Sequence, residues 1–173
     1  VNIVKIANKF NIPIVARGAG TGLTGGSNAI ENCILLSMHR LNKILSIDVS
    51  NRIAIVEPGV INSKIKEEVA KKKLFYPPDP ASFDISSIGG NVATNAGGLC
   101  CVKYGVTRDY VMGLEVVLGT GEIINTGRKT IKNTSGYDFT GIFIGSEGTL
   151  GIITKIILKL LPLPPISSTA IAY

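Results

Sequence analysis

The 173-residue sequence has no tryptophan, a single histidine, three cysteines and only 6% aromatic residues. Each shortage excludes something. Single-stranded nucleic acid is bound on aromatic stacking platforms set among cations, and no such interleaving occurs, so the net charge of +6 does not by itself indicate a nucleic-acid partner. The densest basic run, Lys71 to Lys73, closes a predicted helix. Glu67 and Glu68 stand at i,i+4 from Lys71 and Lys72 there, the pattern of a solvated helix face. Cys33, Cys100 and Cys101 show no CxxC or Cys/His ligand spacing, and an adjacent pair makes a poor structural disulfide. Cys100 and Cys101 are expected as small buried apolar residues, and the cysteine usage suits a reducing, cytoplasmic setting. His39 alone supports no His/Asp pair and no metal cluster. There is no GxSxG elbow and no Gly-Lys-Ser/Thr of a P-loop. The longest apolar stretch, 152–161, is interrupted by Lys155 and Lys159 and is too short to span a bilayer. A sequon at Asn133-Thr134-Ser135 stands without a secretory signal and reads as chance.

What the sequence does have is glycine, 20 residues, in a chain that is 45% hydrophobic. That composition excludes a disordered tail, and the glycines gather in loops, where backbone must turn sharply or approach a ligand closely. A helix is expected to run to Phe10, with Ile3, Ile6, Ala7 and Phe10 on one apolar face. Strands are expected at 12–16 and 33–37, the second apolar throughout and so buried on both faces. A hairpin over 43–57 follows, then a helix over 62–73 with Ile61, Ile65, Val69 and Leu74 as its stripe and Asn62 as its cap. Next come an extended PPDP loop at 77–80, a second hairpin over 111–126, a short helix over 137–144 and a last strand ending near 161. Strands, hairpins and inserted helices in this mixed order predict an α+β fold.

Two loops carry the chemistry. The first, ARGAGTGLTGG at 16–26, offers successive backbone N–H groups with few side chains in the way, as an anion-binding nest for phosphate requires. Thr21 and Thr24 add hydroxyls and Arg17 adds charge. Gly20-x-Gly22-x-x-Gly25 formally matches the dinucleotide fingerprint. That fingerprint, however, needs a helix at the loop and an acid at the end of the next strand. Here 27–32 has no apolar face, and the second strand runs into Ser37-Met38-His39. The second loop, SSIGGNVATNAGG at 86–98, mixes bare backbone with amides that both donate and accept, which suits the edge of a heteroaromatic ring such as isoalloxazine. A helical turn over 92–96 would present its N-terminus to an anion. Alternatively, Asn91 and Asn95 satisfy only local backbone.

RGAGTGLTGG (17–26), YPPDPAS (76–82), IGGNVATNAGG (88–98), KYG (103–105) and GSEGTLGIIT (145–154), in this order, resemble the FAD-linked oxidase family. Its flavin domain is the vanillyl-alcohol-oxidase-like, or PCMH-type, domain, and the likeness is nearest to its glycolate oxidase and D-lactate dehydrogenase group. The resemblance covers nearly the whole chain. It implies a PCMH-type FAD-binding domain of two α+β lobes: a small strand/helix lobe over about 1–58, and a mainly antiparallel lobe flanked by helices over about 59–165. It implies FAD contacts from Arg17, Gly18, Ala19, Gly20, Thr21 and Gly22, continuing through Leu23, Gly25 and Gly26. Pro78 and Asp79 would lie near the phosphate and ring region. Gly89, Gly90, Asn91, Thr94 and Asn95, with Gly97 and Gly98, would line the second side. Glu147, Gly148, Gly151, Ile152 and Ile153 would approach the adenosine end. Thr21 stands where relatives with covalent flavin carry histidine, so the FAD is expected to be non-covalent.

The same resemblance implies oxidation of a small 2-hydroxy acid to the 2-oxo acid, with the base, and in some members a metal, held by histidines of a C-terminal cap domain. This chain begins in mid-helix and ends after a proline-rich run, so it is expected to be a fragment lacking that cap and catalytic residues of its own. Companion oxidase subunits and a cytoplasmic place, peripheral to the inner membrane in a complex, go with this reading. The alternative is a non-catalytic FAD-domain module that assembles with a catalytic partner. Another reaction on the same scaffold, such as reduction of a cell-wall precursor or oxidation of an alcohol, is disfavoured by the PDPAS and GGNVATNAGG loops.

Overall fold

The computed structural model describes residues 1–130, 132 and 134–165. The sequon's Asn133 lies outside the described residues. The chain begins with helix α1 (Asn2–Phe10), followed by strands β1 (Ile14–Arg17) and β2 (Ile34–Ser37). These two pair in parallel, Ile14 opposite Ile34 and Arg17 opposite Ser37. Strands β3 (Ile44–Asp48) and β4 (Ile53–Val56) form the expected hairpin. Helix α2 (Asn62–Ala70), the short strand β5 (Leu74–Phe75), helix α3 (Ile88–Ala93) and the single turn α4 (Cys101–Tyr104) come next. The second hairpin is β6 (Val111–Leu118) with β7 (Ile123–Gly127). Helix α5 (Phe139–Phe143), strand β8 (Gly151–Lys159) and strand β9 (Leu161–Pro162) complete it.

The α+β expectation holds. Five strands form one antiparallel sheet in the order β3-β4-β8-β6-β7, apart from the small β1-β2 and β5-β9 pairs. A division of lobes at about residue 58 does not follow the sheets, because the β3-β4 hairpin joins the large one through β4 and β8. Its residues Ala54 and Val56 are fully buried in the core with Leu114, Val116, Ile156 and Leu158, under Ile65 and Val69 of α2 and Ile88 and Val92 of α3. Burial of that apolar set outweighs sequence adjacency to β1 and β2.

Other expectations shift for local reasons. In α1 the buried residues are Val4 and Ala7, while Ile3, Ile6 and Phe10 are exposed. Strand β2 alternates rather than being buried on both faces, Leu35 being 41% exposed, because it pairs with β1 alone. Asn62 is not a cap: Ile61 occupies the cap position, and Asn62 is fully buried, its Nδ2 donating to Asn91 Oδ1 at 2.9 Å. The helix-face pair is Lys71 with Glu68, at i,i+3. All three cysteines are free, and Cys100 and Cys101 are half-buried rather than buried. No helix among the described residues is long and apolar enough to cross a membrane.

The register of the five-stranded sheet shifts between Ile44 and Ser46, between Val111 and Gly113, and again near the end of β8 that leads in from residue 151. Glu115 stands opposite Lys155, yet Val116 stands opposite Ile153, so Thr154 is an extra residue in β8. Such a bulge re-aims the strand that carries it. Thr154 Oγ1 donates to Glu115 Oε1 at 2.9 Å, and Lys155 Nζ pairs with Glu115 Oε2 at 2.8 Å. The hydrogen bond from Lys155, with that from Thr154, holds the Glu115 carboxyl below its ordinary range against the opposing effect of burial. A carboxyl with a depressed folded pKa stabilises the fold above its unfolded value and loses that contribution as the pH falls through the folded one. Below about pH 4.5 the melting temperature is therefore expected to drop, and Glu115→Gln is expected to flatten that part of the acid profile. Superimposable profiles of the two proteins would refute this role.

Candidate functional site

Helix α3 is where the glycine-rich segments converge. Ser87, its N-cap, has extended backbone, and its Oγ accepts from Gly90 N–H at 3.4 Å. The same Oγ accepts from Ala19 N–H of the first loop at 3.1 Å. The other end of the helix holds the third segment: Gly145 N–H donates to Val92 O at 3.0 Å and Glu147 N–H to Ala93 O at 2.9 Å. Thr24 Oγ1 then closes the ring by donating to Glu147 Oε2 at 2.6 Å. Three segments far apart in sequence thus border one groove of about 170 Å³.

Most of the predicted site residues line it. From the first loop these are Gly18, Ala19, Gly20, Thr21, Gly22 and Gly26. Gly89, Gly90, Asn91 and Thr94 line the α3 side, and Glu147, Gly148, Gly151, Ile152 and Ile153 the β8 side. The bulge at Thr154 comes directly after that last run. The other predicted residues lie off the groove. Leu23 is fully exposed, and Gly25 makes the turn in which Asn28 N–H donates to its carbonyl. The Arg17 guanidinium lies back against Gly20. Pro78 is buried. Asp79 Oδ1 accepts from Cys100 N–H at 2.9 Å, and the Cα of Gly98 packs so close to the Asp79 carbonyl that no side chain fits. Gly98 N–H donates to Cys101 Sγ and Gly97 packs near that sulfur, so Cys101 is a hydrogen-bonded loop anchor rather than an apolar filler.

The two asparagines prove to be braces. Asn91 is buried, its Nδ2 donating to Ser86 Oγ at 3.1 Å and its Oδ1 accepting from Asn62. Asn95 Oδ1 accepts from Arg108 N–H at 2.9 Å. The helix expected over 92–96 begins instead at Ile88, and its first N–H groups are not free for an anion: Ile88 donates to Val60 O and Gly89 to Pro58 O, each at 2.8 Å.

The free donors are in the first loop. Among the described residues, no backbone N–H from Gly20 to Gly26 has a hydrogen-bond partner in the protein. Glu147 is the one ionisable side chain among the described residues that line the groove, so the donors there are backbone N–H groups and hydroxyls rather than cations. The φ of Gly22 is not in the left-handed region, and an added Cβ would find only Thr94 Cγ2, at 4.0 Å. Packing and torsion within the protein do not require glycine at 22.

Sequence reading missed Ser87, although a serine just before a helix start is the usual N-cap signal. It also missed Lys66, one turn into α2. The Lys66 ammonium donates to Tyr76 O at 2.7 Å and Pro77 O at 3.2 Å, which fixes the PPDP loop. Burial pushes its pKa down, and the charge of Asp79 opposes that shift. No local pattern marks a lysine for such a role.

Comparison with known proteins is consistent with this geometry. The family model described as FAD binding domain matches residues 1–127. Over 170 residues the chain is 52% identical to glycolate oxidase subunit GlcD of Bacillus subtilis (strain 168), covering 98% of this chain and 36% of that protein. It is 46% identical over 162 residues to a D-lactate dehydrogenase of Anaerostipes hadrus, covering 94% and 34%. A solved structure of alkyldihydroxyacetonephosphate synthase superposes with a TM-score of 0.81 at 30% identity, over 95% of this chain and 30% of that one. The chain spans about a third of the length of the curated relatives it matches.

Proposed function

Because the chain belongs to the FAD binding domain family, we propose that its groove holds FAD, with the diphosphate along the free backbone N–H groups of 20–26. These donors carry the reading: those of Gly20, Thr21, Gly22, Thr24 and Gly26 belong to residues that border the groove, and among the described residues they are spent on nothing else. Glu147, which sits against Thr24 and Gly26, repels phosphate and accepts from hydroxyl or amino donors, so the diphosphate lies toward Gly20 to Gly22 and the nucleoside toward Glu147. Ile152 and Ile153 give that end an apolar wall. Pro78, Asp79, Gly97 and Gly98 act one layer back, keeping the PPDP loop and the second glycine loop in register. The protein's share is position and electrostatics, and FAD supplies the hydride acceptor when bound.

In the intact enzyme we assign this domain to oxidation of a small 2-hydroxy acid at its CH–OH carbon, a substrate class supported by relatives named for glycolate and D-lactate. His39 is exposed and outside the groove, so it is not assigned as the base that takes the hydroxyl proton. A companion subunit is supported by the relative's name as a subunit.

The test is titration of the purified chain with FAD, followed by quenching of flavin fluorescence and by the visible spectrum. Saturable binding is expected, and an unperturbed spectrum at every protein concentration would defeat the reading. Thr21 offers no imidazole for a covalent link, so acid precipitation is expected to leave all flavin in the supernatant. Flavin carried down with the pellet would show a covalent bond instead.

A further inference from the structure

Arg108 lies outside the groove, exposed on the 3₁₀ turn Thr107–Tyr110, and sequence gives no reason to notice it. Of the three hydrogen bonds it donates, one goes to the loop that leaves α3 and two go to α5 and its exit, just before the third segment. Its backbone N–H donates to Asn95 Oδ1, at the exit of α3, where Asn95 takes a left-handed φ of 48°. Its Nη1 donates to Gly141 O at 2.7 Å and its Nη2 to Ile144 O at 2.8 Å. Those carbonyls end α5, where helical partners run out, and Ile144 is the residue just before the third segment. The next bonds along that segment are Gly145 N–H to Val92 O and Glu147 N–H to Ala93 O. A planar guanidinium spans two carbonyls at once with fixed geometry, and a lysine ammonium does not reproduce that fork.

We propose that Arg108 is a positioning residue for the cofactor site. It clamps the start of the third segment against the C-terminal end of α3, and so sets Glu147 and Gly148 along the groove wall. The effect on FAD rests on the assignment of the groove to that cofactor, whereas the clamp itself is testable without flavin.

In the flavin-free chain, hydrogen exchange at the Gly145 and Glu147 amides is expected to speed up about tenfold or more in Arg108→Gln, with Arg108→Lys in between. Exchange unchanged at both amides would overturn the clamp. In FAD titrations, Arg108→Lys is expected to weaken binding by about tenfold, the order of one charged hydrogen bond. In a Glu147→Gln background most of that loss is expected to vanish, because the two residues act in series. Val69→Ala, a fully buried change on α2 away from the groove, controls for lost stability and is expected to lower the melting temperature without altering FAD affinity. If Val69→Ala weakens FAD as much as Arg108→Lys at an equal loss of melting temperature, Arg108 is merely structural and the proposal fails. If the wild-type chain does not bind FAD while Arg108→Gln still loosens the two amides, the clamp stands and the flavin reading fails.

Discussion

Gly18→Ala is expected to weaken FAD binding by roughly 10- to 100-fold, on the order of 1.5–3 kcal/mol, the worth of two displaced hydrogen bonds and the loop they hold. A Cβ on Gly18 would collide with Ser87 Oγ. The serine is small and can rotate, so the fold survives, but rotation breaks both of its bonds. Ala19 N–H then loses its only partner, and Gly90 N–H loses the N-cap of α3. The first glycine loop comes off the helix, and the free donors of 20–26 no longer face the α3 side of the groove. Ser87→Ala removes the same two bonds without the collision, and loss of an N-cap serine costs about 1 kcal/mol. It should therefore weaken FAD by about fivefold to tenfold. Adding Ser87→Ala to Gly18→Ala should cost little more, since both act on one contact. The check is FAD affinity of the four proteins by fluorescence quenching. Fully additive losses, or a Gly18→Ala protein that binds like wild type, would show that the docking of loop on helix does not shape the site.

Gly98→Ala is expected to act on the fold first and on the flavin second. The nearest neighbours of an added Cβ are the carbonyl oxygen and carbon of Asp79 and, at 2.6 Å, its Oδ1. The first two are backbone, and the PPDP loop that carries them is held by Lys66 bonds to Tyr76 O and Pro77 O and by Asp79 Oδ1 accepting from Cys100 N–H. Neither side can yield cheaply. Overpacking of this kind costs about 3 kcal/mol, which for a domain of this size lowers the melting temperature by roughly 6–12 °C. Asp79→Ala removes one acceptor without adding bulk and should cost less than half as much. Thermal unfolding of both variants decides the matter. A Gly98→Ala protein melting within about 2 °C of wild type would mean that the two loops have room to move apart.

Much of the fold was legible from residue order alone. The hairpins over 43–57 and 111–126 were readable because alternation and turn residues are local signals. Helix α2 was readable because Ile65 and Val69 repeat at helical spacing. The position of α3 was not. Two glycines at its start suppress helix propensity, and it forms because Ser87 caps it and because Ile88 and Val92 are buried in the core. For Asn91 and Asn95 the sequence left both ligand contact and local bracing open, because amides suit a ring edge and a neighbour alike. Whether an amide faces a ligand or a neighbour depends on what stands opposite, and opposite them stand Ser86, Asn62 and Arg108.

By itself the sequence determined the chemistry on offer: a run of bare backbone able to bind an anion, a single histidine, and five motifs that resemble those of one flavin family. Those are properties of residue type and near spacing, which the chain carries whether folded or not. Only the tertiary structure decided which donors stay free. It spends the N-terminus of α3 on Pro58 and Val60 carbonyls, leaves the N–H groups of 20–26 unpaired among the described residues, and brings Glu147 to Thr24 across 123 positions of chain. A hydrogen-bonding group can serve a ligand only if folding has not already satisfied it, and that is settled by contacts between segments that no local pattern specifies.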